Sequence, residues 1–308
     1  NVTQALNHIA GIDISSTGGL GQSSFVRING MHYTTTLVLI DGIRYNDITN
    51  GSAFLENILI SDIKQIEIIK GAQSGIWGAD ASGGVVNIIT KDTKKGLHGS
   101  INTEYGSFNT KKYGATVSYK KNKYYIKLSG QKVTSDGFSA QVPNGDDIDH
   151  YEDDSYENTT ISFKTGVNIN DNNQIDIIHT NIDSEVQYDD GAWGTSTQTQ
   201  ANSEIYKSTS NSKFTRINFH NTNELATTNL YTNKSSFKRQ DPEGFTKEFI
   251  GEVKEIGLNT NIKYNKKDFL LLGLDKKDFS QEKGYELNYK NNGIFLINSN
   301  TFHILDED

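Results

Sequence analysis

Cysteine is absent from this chain of 308 residues, and proline occurs only twice. No stretch approaches the roughly 18 consecutive apolar residues of a membrane-spanning helix, so a transmembrane helix is excluded. A membrane β-barrel is not excluded, because its strands alternate lipid-facing and lumen-facing side chains and are polar on average. The lack of cysteine fits the periplasm or an outer membrane, although many cytosolic proteins also lack it.

An excess of basic residues is also absent. The formal net charge is −8, and no basic stripe is available to neutralise phosphates. This argues against a nucleic-acid partner. The chain begins at Asn1 with neither a methionine nor a signal sequence. Since an exported protein needs a signal sequence, we expect the true N-terminus to be missing or removed.

The most distinctive stretch runs from Gly18 to Lys91. Leu37 to Ile40 form a short apolar run that predicts a buried strand, and Asp41-Gly42 follows as a turn signal. Residues 71–84 contain five glycines and lead into a second apolar strand, Val85 to Ile89. Glycine at this density predicts a backbone that turns tightly or approaches a neighbour closely, so a structural role is favoured over ligand binding.

The remaining elements of residues 1–95 are short and mixed, which predicts an α+β domain. We expect a helix from Thr3 to Ala10 with Thr3 as its N-cap, and a helical turn leading into a strand within Asp62 to Lys70. Short strands are expected at residues 12–14 and 25–28. The predicted core includes Leu37, Leu39, Ile66, Ile68, Val85 and Ile88.

After the polar connector Lys91 to Gly96 the sequence alternates with a period of two residues. Tyr113, Ala115 and Val117 share one predicted face, with Gly114 and Thr116 on the other. About ten such segments follow one another until His303, and most are about ten residues or longer. This length is sufficient for a tilted strand to cross a bilayer.

The connections between these segments alternate between short and long, with short turns expected on one side of a barrel and long loops on the other. A soluble β-sandwich also has alternating strands, but its strands are usually shorter, at about five or six residues. The short links are residues 121–122, 170–173, 220–223 and 265–268, and the long ones are 135–157, 184–204, 237–251 and 281–291.

Three pieces of sequence, GGLGQSS, TLVLIDGIRYND and IKQIEIIKGAQSGIWGADASGGVVNIITK, together resemble the plug domain of TonB-dependent outer-membrane receptors. Within that family the turn at residues 18–22 and the loop at residues 51–53 are most similar to the vitamin B12 (cobalamin) receptor. The sequence departs from the usual family motifs at three places. These are Asn29-Gly30 for Arg-Gly, Lys70-Gly71-Ala72 for Arg-Gly-Pro, and Trp77-Gly78 for Tyr-Gly.

The resemblance implies an all-β transmembrane barrel with an N-terminal α+β plug. We expect residues 1–95 to form the plug and residues 96–308 the N-terminal part of the barrel. Ten strands cannot enclose such a plug, whereas barrels of roughly 22 strands do. We therefore predict a truncated barrel, in which Asp306-Glu307-Asp308 is a cut periplasmic turn.

No arrangement of residues predicts catalysis, so we expect a protein that is not an enzyme. Residues 18–21 lack the downstream acid of a dinucleotide site, and Ser74 is displaced by one position from a nucleophile elbow. The seven histidines have no metal-ligand spacing.

Two plug loops, residues 31–35 and 46–54, are candidate ligand-binding loops by resemblance. His32, Tyr33, Asn50 and Ser52 supply hydrogen-bonding groups and an aromatic face suited to a large polar ligand. The alternative is that both loops are ordinary solvated turns.

Acidic loops are candidate calcium sites, also by resemblance to the vitamin B12 receptor. The residues are Asp183, Asp189, Asp190 and Asp241. Calcium needs six to eight oxygens, which several carboxylates on one rim could supply. A solvated acidic rim without an ion is the alternative. For a second cluster, residues 146–154, the spacing is not that of an EF-hand, and the solvated interpretation is favoured.

The resemblance implies a receptor in the outer membrane of a Gram-negative bacterium. Its partners would be the TonB complex of the inner membrane, a cobalamin or metal-chelate ligand, and outer-membrane lipid. No resident cofactor is required beyond possible calcium. The open alternatives are a ferric-siderophore receptor, a passive porin or surface adhesin, and a soluble secreted β-protein.

Overall fold

The computed structural model describes residues 2–139, 153–188, 206–265 and 268–301. A smaller N-terminal part, here called the plug (residues 2–90), precedes a large antiparallel sheet (residues 96–299). The plug contains helices α1 (Val2–Leu6) and α2 (Ser74–Trp77) and strands β1 (Ile12–Ser16), β2 (Ser24–Ile28), β3 (Thr36–Ile40), β4 (Ile43–Arg44), β5 (Ile63–Lys70) and β6 (Gly84–Thr90). The large sheet contains β7 (Gly96–Gly106), β8 (Thr110–Lys121), β9 (Tyr124–Ser135), β10 (Tyr156–Asn168), β11 (Asn173–Gln187), β12 (Lys207–Thr222), β13 (Ala226–Gln240), β14 (Glu248–Lys263), β15 (Phe269–Lys283) and β16 (Leu287–Ser299).

The centre of the plug is a four-stranded sheet in the order β4-β3-β6-β5, in which β3 and β6 run parallel. All five residues of β3 are buried, as the apolar run predicts. Gly84 allows the close packing of β5 and β6, because a Cβ on this glycine would lie 2.5 Å from the carbonyl oxygen of Ile69. Its φ of 149° is a second reason why a side chain would be strained here.

The ten strands of the large sheet follow one another in sequence order, each paired antiparallel with its neighbour. They are 11 to 16 residues long. The predicted ten alternating strands are therefore confirmed. Within the described residues, no helix is both long enough and apolar enough to cross a membrane.

Buried and exposed side chains alternate along the central strands of the large sheet. On β9, Lys127, Ser129 and Gln131 are buried on the face that packs on the plug, here called the inward face. Ile126 and Leu128, at the alternate positions, lie on the outward face and are exposed. An apolar outward face is the pattern of a strand that contacts lipid.

One apolar core joins the plug to the inward face of the sheet. From the sheet it includes Ile182, Phe214, Phe237, Val253 and Phe279, and from the plug it includes Val38, Ile43, Tyr45, Leu55 and Ile88. Because the two parts share this core, the plug is packed against the sheet as an interior layer and is not a tethered separate body.

The connections divide the molecule into two ends. Of the described residues, the turn end carries 122–123, 169–172, 223–225, 264–265 and 268, and the loop end carries 107–109, 136–139, 153–155, 188, 206, 241–247 and 284–286. The prediction of a long loop over residues 281–291 is wrong. Gln281 pairs with Leu287 and Phe279 with Tyr289, so the ladder continues to a tight turn at Gly284, whose φ is 94°.

Two smaller predictions in the plug also need correction. Asp62 to Lys70 contain no helix, because β5 begins at Ile63 and pairs with β6 along its length. The first helix ends at Leu6 and includes Thr3 within it, so Thr3 is not the N-cap. The predicted turn at Asp306 to Asp308 lies outside the described residues.

Candidate functional site

A cavity of about 490 Å³ opens at the loop end, between the plug and strands β11 to β14. It is here called the outer cavity. The plug contributes Gly21 to Ser23, Phe54, Glu56 and Asn57, and the sheet and its loops contribute Ser184, Val186, Tyr188, Ser208, Ser210, Arg239, Asp241, Gly244, Phe245, Thr246 and Phe249. Its volume is within the range of small-molecule sites, roughly 300–1,000 Å³.

The floor of the outer cavity is a short 3₁₀ turn of the plug, Leu55–Asn57, held by the sheet. Tyr156 donates its hydroxyl hydrogen bond to Asn57 Oδ1 at 3.0 Å, and Asn158 Nδ2 donates to the Asn57 carbonyl at 3.1 Å. Beside it, Gln22 Nε2 donates to the carbonyl of Gln187 at 2.7 Å. The floor therefore has a fixed position relative to β10 and β11.

Glu56 is a buried carboxyl in this floor. Burial raises its pKa to about 8, and its Oε2 accepts a hydrogen bond from the backbone N–H of Ser24 at 3.2 Å, which opposes that shift in part. At pH 7 the folded protein keeps this carboxyl protonated. It thus contributes a neutral donor and acceptor to the cavity, and no negative charge.

Arg239 brings a positive charge to the opposite wall. Its guanidinium carbon lies 4.3 Å from the ring centroid of Phe249 and 5.8 Å from that of Phe54. The cation is therefore held between an aromatic ring of the sheet and one of the plug. Such stacking orients the planar guanidinium.

The rim on the loop side is built by Tyr188 and Asp241. The Tyr188 hydroxyl donates to Asp241 Oδ1 at 2.5 Å, and the backbone N–H of Gly244 donates to the same oxygen at 3.1 Å. Phe245, in the same loop, is fully exposed. An exposed aromatic ring next to an ordered polar pair suits contact with a large ligand that has both flat apolar and polar surface.

Together these groups provide the donors, acceptors and apolar surfaces that a binding site needs. The cavity offers one guanidinium, the protonated carboxyl of Glu56, the carboxyl group of Asp241 held by Tyr188, serine hydroxyls and aromatic faces. This donor set fits a ligand with anionic or carbonyl oxygens around a bulky body.

His32 and Tyr33 lie outside the outer cavity. His32 is exposed and caps the 3₁₀ turn Tyr33–Thr35, with its Nδ1 at 2.9 Å from Thr34 Oγ1. The ring of Tyr33 packs 4.6 Å from that of Phe25. In the structure both side chains fix the local backbone, and their proposed contact with a ligand stays a prediction.

Asn50 and Ser52 stabilise their own loop. Asn50 Oδ1 accepts from the backbone N–H of Ser52 at 2.9 Å, and the Ser52 carbonyl accepts from the N–H of Asp47 at 2.8 Å. Ser52 is buried, whereas Asn50 is exposed and accessible to a ligand.

Of the four acidic residues proposed for calcium, the two that the structure describes lie in different places. Asp183 occupies an outward position of β11 and accepts from Asn181 and Asn211, whereas Asp241 lines the outer cavity. Asp189 and Asp190 lie outside the described residues. Among the residues that are described, no three His, Cys, Asp or Glu side chains are close enough to hold a metal ion.

Sequence reasoning missed Glu56, Arg239 and Phe249. Glu56 lies next to a predicted ligand loop, but nothing in its neighbourhood of the sequence marks it as buried. Arg239 and Phe249 flank a predicted loop, and their stacking depends on the pairing of β13 with β14, where Arg239 opposes Phe249. For Arg239 and Phe249, this strand pairing was the only signal that could have indicated a role in the site.

Comparison with known families and proteins agrees with this architecture. Residues 1–85 match the family model described as the TonB-dependent receptor plug domain. The vitamin B12 transporter BtuB of Photobacterium profundum is 28% identical over 191 residues, which cover 62% of this chain and 31% of that protein. The chain thus spans about a third of the length of this relative.

Solved structures are similar over most of the chain. The FrpB iron transporter of Neisseria meningitidis has a TM-score of 0.71 at 16% identity, covering 92% of this chain and 46% of that one. A variant of the ferric enterobactin receptor PfeA of Pseudomonas aeruginosa has a TM-score of 0.68 at 14% identity, covering 91% and 46%. At these identities the likeness concerns the fold.

These findings confirm the resemblance to TonB-dependent receptors that the sequence predicts. They also confirm the fold class, an N-terminal plug with part of an antiparallel transmembrane barrel, and the location in the outer membrane of a Gram-negative bacterium.

Proposed function

From a chain that carries the plug of a TonB-dependent receptor and ten strands of its barrel, we propose a receptor for the active uptake of a scarce nutrient chelate. The ligand binds at the loop end. A TonB complex in the inner membrane then acts on the plug to open a path. Binding and transport are separable, because binding needs only preformed loops whereas release needs remodelling of the plug.

The observation that carries this proposal is the outer cavity. It is built jointly by the plug floor around Glu56 and by the sheet residues around Arg239. A ligand bound there touches both parts at once, so any change in the plug alters the site. This is the arrangement that coupling of uptake to plug movement requires.

A cobalamin is the preferred ligand of the proposal. It is supported by the likeness of residues 18–22 and 51–53 to the vitamin B12 receptor and by the relative that bears the name of a vitamin B12 transporter. A ferric siderophore is the second candidate. It is supported by the guanidinium of Arg239, which suits an anionic chelate, and by structural likeness to an iron transporter and a ferric enterobactin receptor.

The predicted ligand and calcium residues remain part of the proposal. His32, Tyr33, Asn50 and Ser52 would extend the site beyond the outer cavity. Asp241, on the cavity rim, is the calcium candidate that a bound ligand would also sense. Calcium at the acidic loops would order the rim and so strengthen binding.

The deciding experiment is equilibrium binding of the full-length, detergent-purified receptor to cyanocobalamin and to a panel of ferric siderophores, with and without calcium. Calcium-dependent binding of cyanocobalamin supports the cobalamin receptor. Binding of an iron chelate instead supports the siderophore receptor. Absence of binding to every chelate contradicts the proposal and favours a passive porin or an adhesin.

A further inference from the structure

A second cavity, of about 660 Å³, lies at the turn end against strands β8 to β12, of which β11 and β12 also line the outer cavity. It is here called the inner cavity. Among its lining residues are Asp41 and Gly42 of the plug and Asp176, Ile178 and Arg216 of β11 and β12. Lys120 and Lys164 also line it, so both signs of charge face the cavity and favour water inside it.

The outer and inner cavities are aligned along one pair of strands. In the β11–β12 register, Ser184 faces Ser210 at the outer cavity and Ile178 faces Arg216 at the inner cavity. Two inward pairs separate them, Ile182 with Ser212 and Thr180 with Phe214. From Ser184 to Ile178 the strand rises only about 20 Å.

Aromatic and aliphatic side chains fill most of the partition between the cavities, beside the buried hydroxyls of Thr180 and Ser212. The ring of Tyr45 from the plug lies 5.2 Å from the ring of Phe214, and Phe237 packs edge-on at 5.8 Å from the other side. Tyr45, Phe214 and Ile182 are 2%, 1% and 3% exposed. Beyond them, Arg216 Nη1 donates to the Gly42 carbonyl at 3.3 Å, at the turn where Asp41 and Gly42 have φ values of 49° and 77°.

The contact at this partition differs from other contacts between plug and sheet. Asp62 and Lys127 form a buried ion pair at 2.5 Å, and Tyr156 and Asn158 make hydrogen bonds to Asn57. At the partition two rings and one aliphatic side chain meet by packing. Separation of this contact breaks no ion pair, and Arg216, which loses the Gly42 carbonyl, keeps Asn233 Oδ1 as an acceptor at 3.3 Å. A narrow apolar constriction between two hydrated spaces blocks ions by dewetting.

We propose that Tyr45, Phe214 and Ile182 form the gate through which the ligand passes from the outer to the inner cavity, along β11 and β12. This inference rests on the proposed function for the identity of the cargo, a polar nutrient chelate. Movement of the plug segment that carries Tyr45 opens the gate. The Asp41-Gly42 turn, a few residues away on the same segment, widens the inner cavity as it moves.

The test is ion conductance of the full-length receptor in planar lipid bilayers without any chelate, using potassium chloride as the probe. Wild-type receptor is expected to be closed, and Phe214→Ala to show a step-like conductance. Phe279→Ala is the matched control. Phe279 is also a buried ring facing the plug, 5.7 Å from the Arg44 guanidinium carbon and stacked at 4.3 Å on Tyr289, and it lines neither cavity.

Equal conductance in Phe214→Ala and Phe279→Ala, or none in either, overturns the gate. If Phe214→Ala does not assemble, Ile182→Ala carries the same expectation. A second arm cross-links Tyr45→Cys to Phe214→Cys in the full-length receptor with a thiol-reactive reagent, since residues 1–308 contain no cysteine of their own. Cross-linked receptor is expected to keep binding of cyanocobalamin or ferric enterobactin and to lose uptake, and retained uptake contradicts the gate. Failure to bind either chelate contradicts the proposed function and leaves the conductance result to decide the gate.

Discussion

Arg239 is the single residue on which ligand affinity is expected to depend most strongly, because it brings a stacked positive charge into the outer cavity. We predict that Arg239→Gln weakens binding of ferric enterobactin, an anionic chelate, by roughly 10- to 100-fold, as loss of a charged hydrogen bond does. Titration calorimetry on the full-length receptor measures this.

Arg27→Gln is the control for this substitution. Arg27 pairs with Asp13 at 3.2 Å and donates to Ser15 at 2.8 Å within the β1–β2 hairpin, and it does not line the outer cavity. The affinity of the Arg27→Gln variant for ferric enterobactin should equal that of the wild-type receptor. A loss of affinity shared by both variants would point to a general charge effect and against the site.

Glu56 gives the plug a pH dependence with a defined sign. Its pKa is about 8 in the folded protein, above the ordinary value of 4.5, because burial disfavours the charged form. Below pH 4.5 both folded and unfolded chains hold the proton. Between pH 4.5 and about 8 the unfolded chain releases it first, so stability falls as the pH rises through this window.

We predict that Glu56→Gln removes this fall, and that the variant is more stable than wild type near pH 8 but not near pH 4. Amide hydrogen exchange of the plug across this range measures the effect. Glu67→Gln, at an exposed position of β5, is the control and should follow the wild-type profile. An unchanged pH profile in Glu56→Gln would show that this carboxyl is ionised in the folded protein.

Single residues of the site were the hardest feature to predict from the sequence. Asp241 was identified by resemblance, but Glu56 and Arg239 were not, since they are far apart in the chain and meet only when the plug packs on the sheet. Burial decides the protonation of Glu56, and burial between two parts of a chain has no local pattern. His32 and Tyr33 were selected for their side-chain chemistry, which in the structure serves a turn.

At the scale of elements, the ion pair between Asp62, next to β5, and Lys127 on β9 fastens the plug to the sheet. Both side chains are buried, at 8% and 4% exposure, and Lys127 Nζ also donates to the Lys91 carbonyl at 2.8 Å. Burial raises the pKa of Asp62, and Lys127 opposes that shift. The buried ion pair is therefore stable only while both side chains are present.

We predict that Lys127→Met destabilises the docking of the plug by about 3–5 kcal/mol, because it leaves a buried carboxylate without its partner. Hydrogen exchange of plug amides measures the loss. Lys132→Met is the matched control, since Lys132 lies on the outward face of the same strand in an exposed pair with Glu157 and should cost at most about 1 kcal/mol. The double variant with Asp62→Asn should recover most of the loss, and equal losses in all three variants would contradict the role of the pair.

Strands were predictable because one face of the sheet packs on the plug and the other exposes apolar side chains such as Ile126, Leu128 and Leu258, so the sequence alternates along much of each strand. The ends of the strands were harder to predict from the sequence. Residues 281–291 are polar enough to resemble a loop, yet Asp278 opposes Lys290 and Gln281 opposes Leu287 in a regular ladder. Polar residues near the end of a barrel strand project into water, so their composition carries no information about pairing.

For the whole molecule, the shared core predicts that the plug is required for a specific site. Removing residues 1–91 from the full-length receptor uncovers Ile182, Phe214, Phe237 and Phe279 and takes away the cavity floor. We predict loss of chelate binding together with a passive ion leak, measured by titration calorimetry and bilayer conductance. Specific uptake that survives this deletion would support the porin or adhesin alternative.

The general architecture could be predicted from the sequence since it depends on two repeated patterns, period-two strands and a glycine-dense plug motif. The path of the ligand through the molecule could not be predicted from the sequence. It depends on which inward side chains of β11 and β12 lie beside cavities and which touch Tyr45, and those neighbours are set by the position of the plug against the sheet.

The most direct measurement of the central claim is a structure of the full-length receptor with cyanocobalamin or ferric enterobactin, whichever binds in the calorimeter. The account predicts ligand density in the outer cavity, in contact with Arg239 on the sheet and with the plug floor around Glu56. Ligand density that touches the sheet loops alone, with the outer cavity unfilled and the plug floor uncontacted, would contradict it.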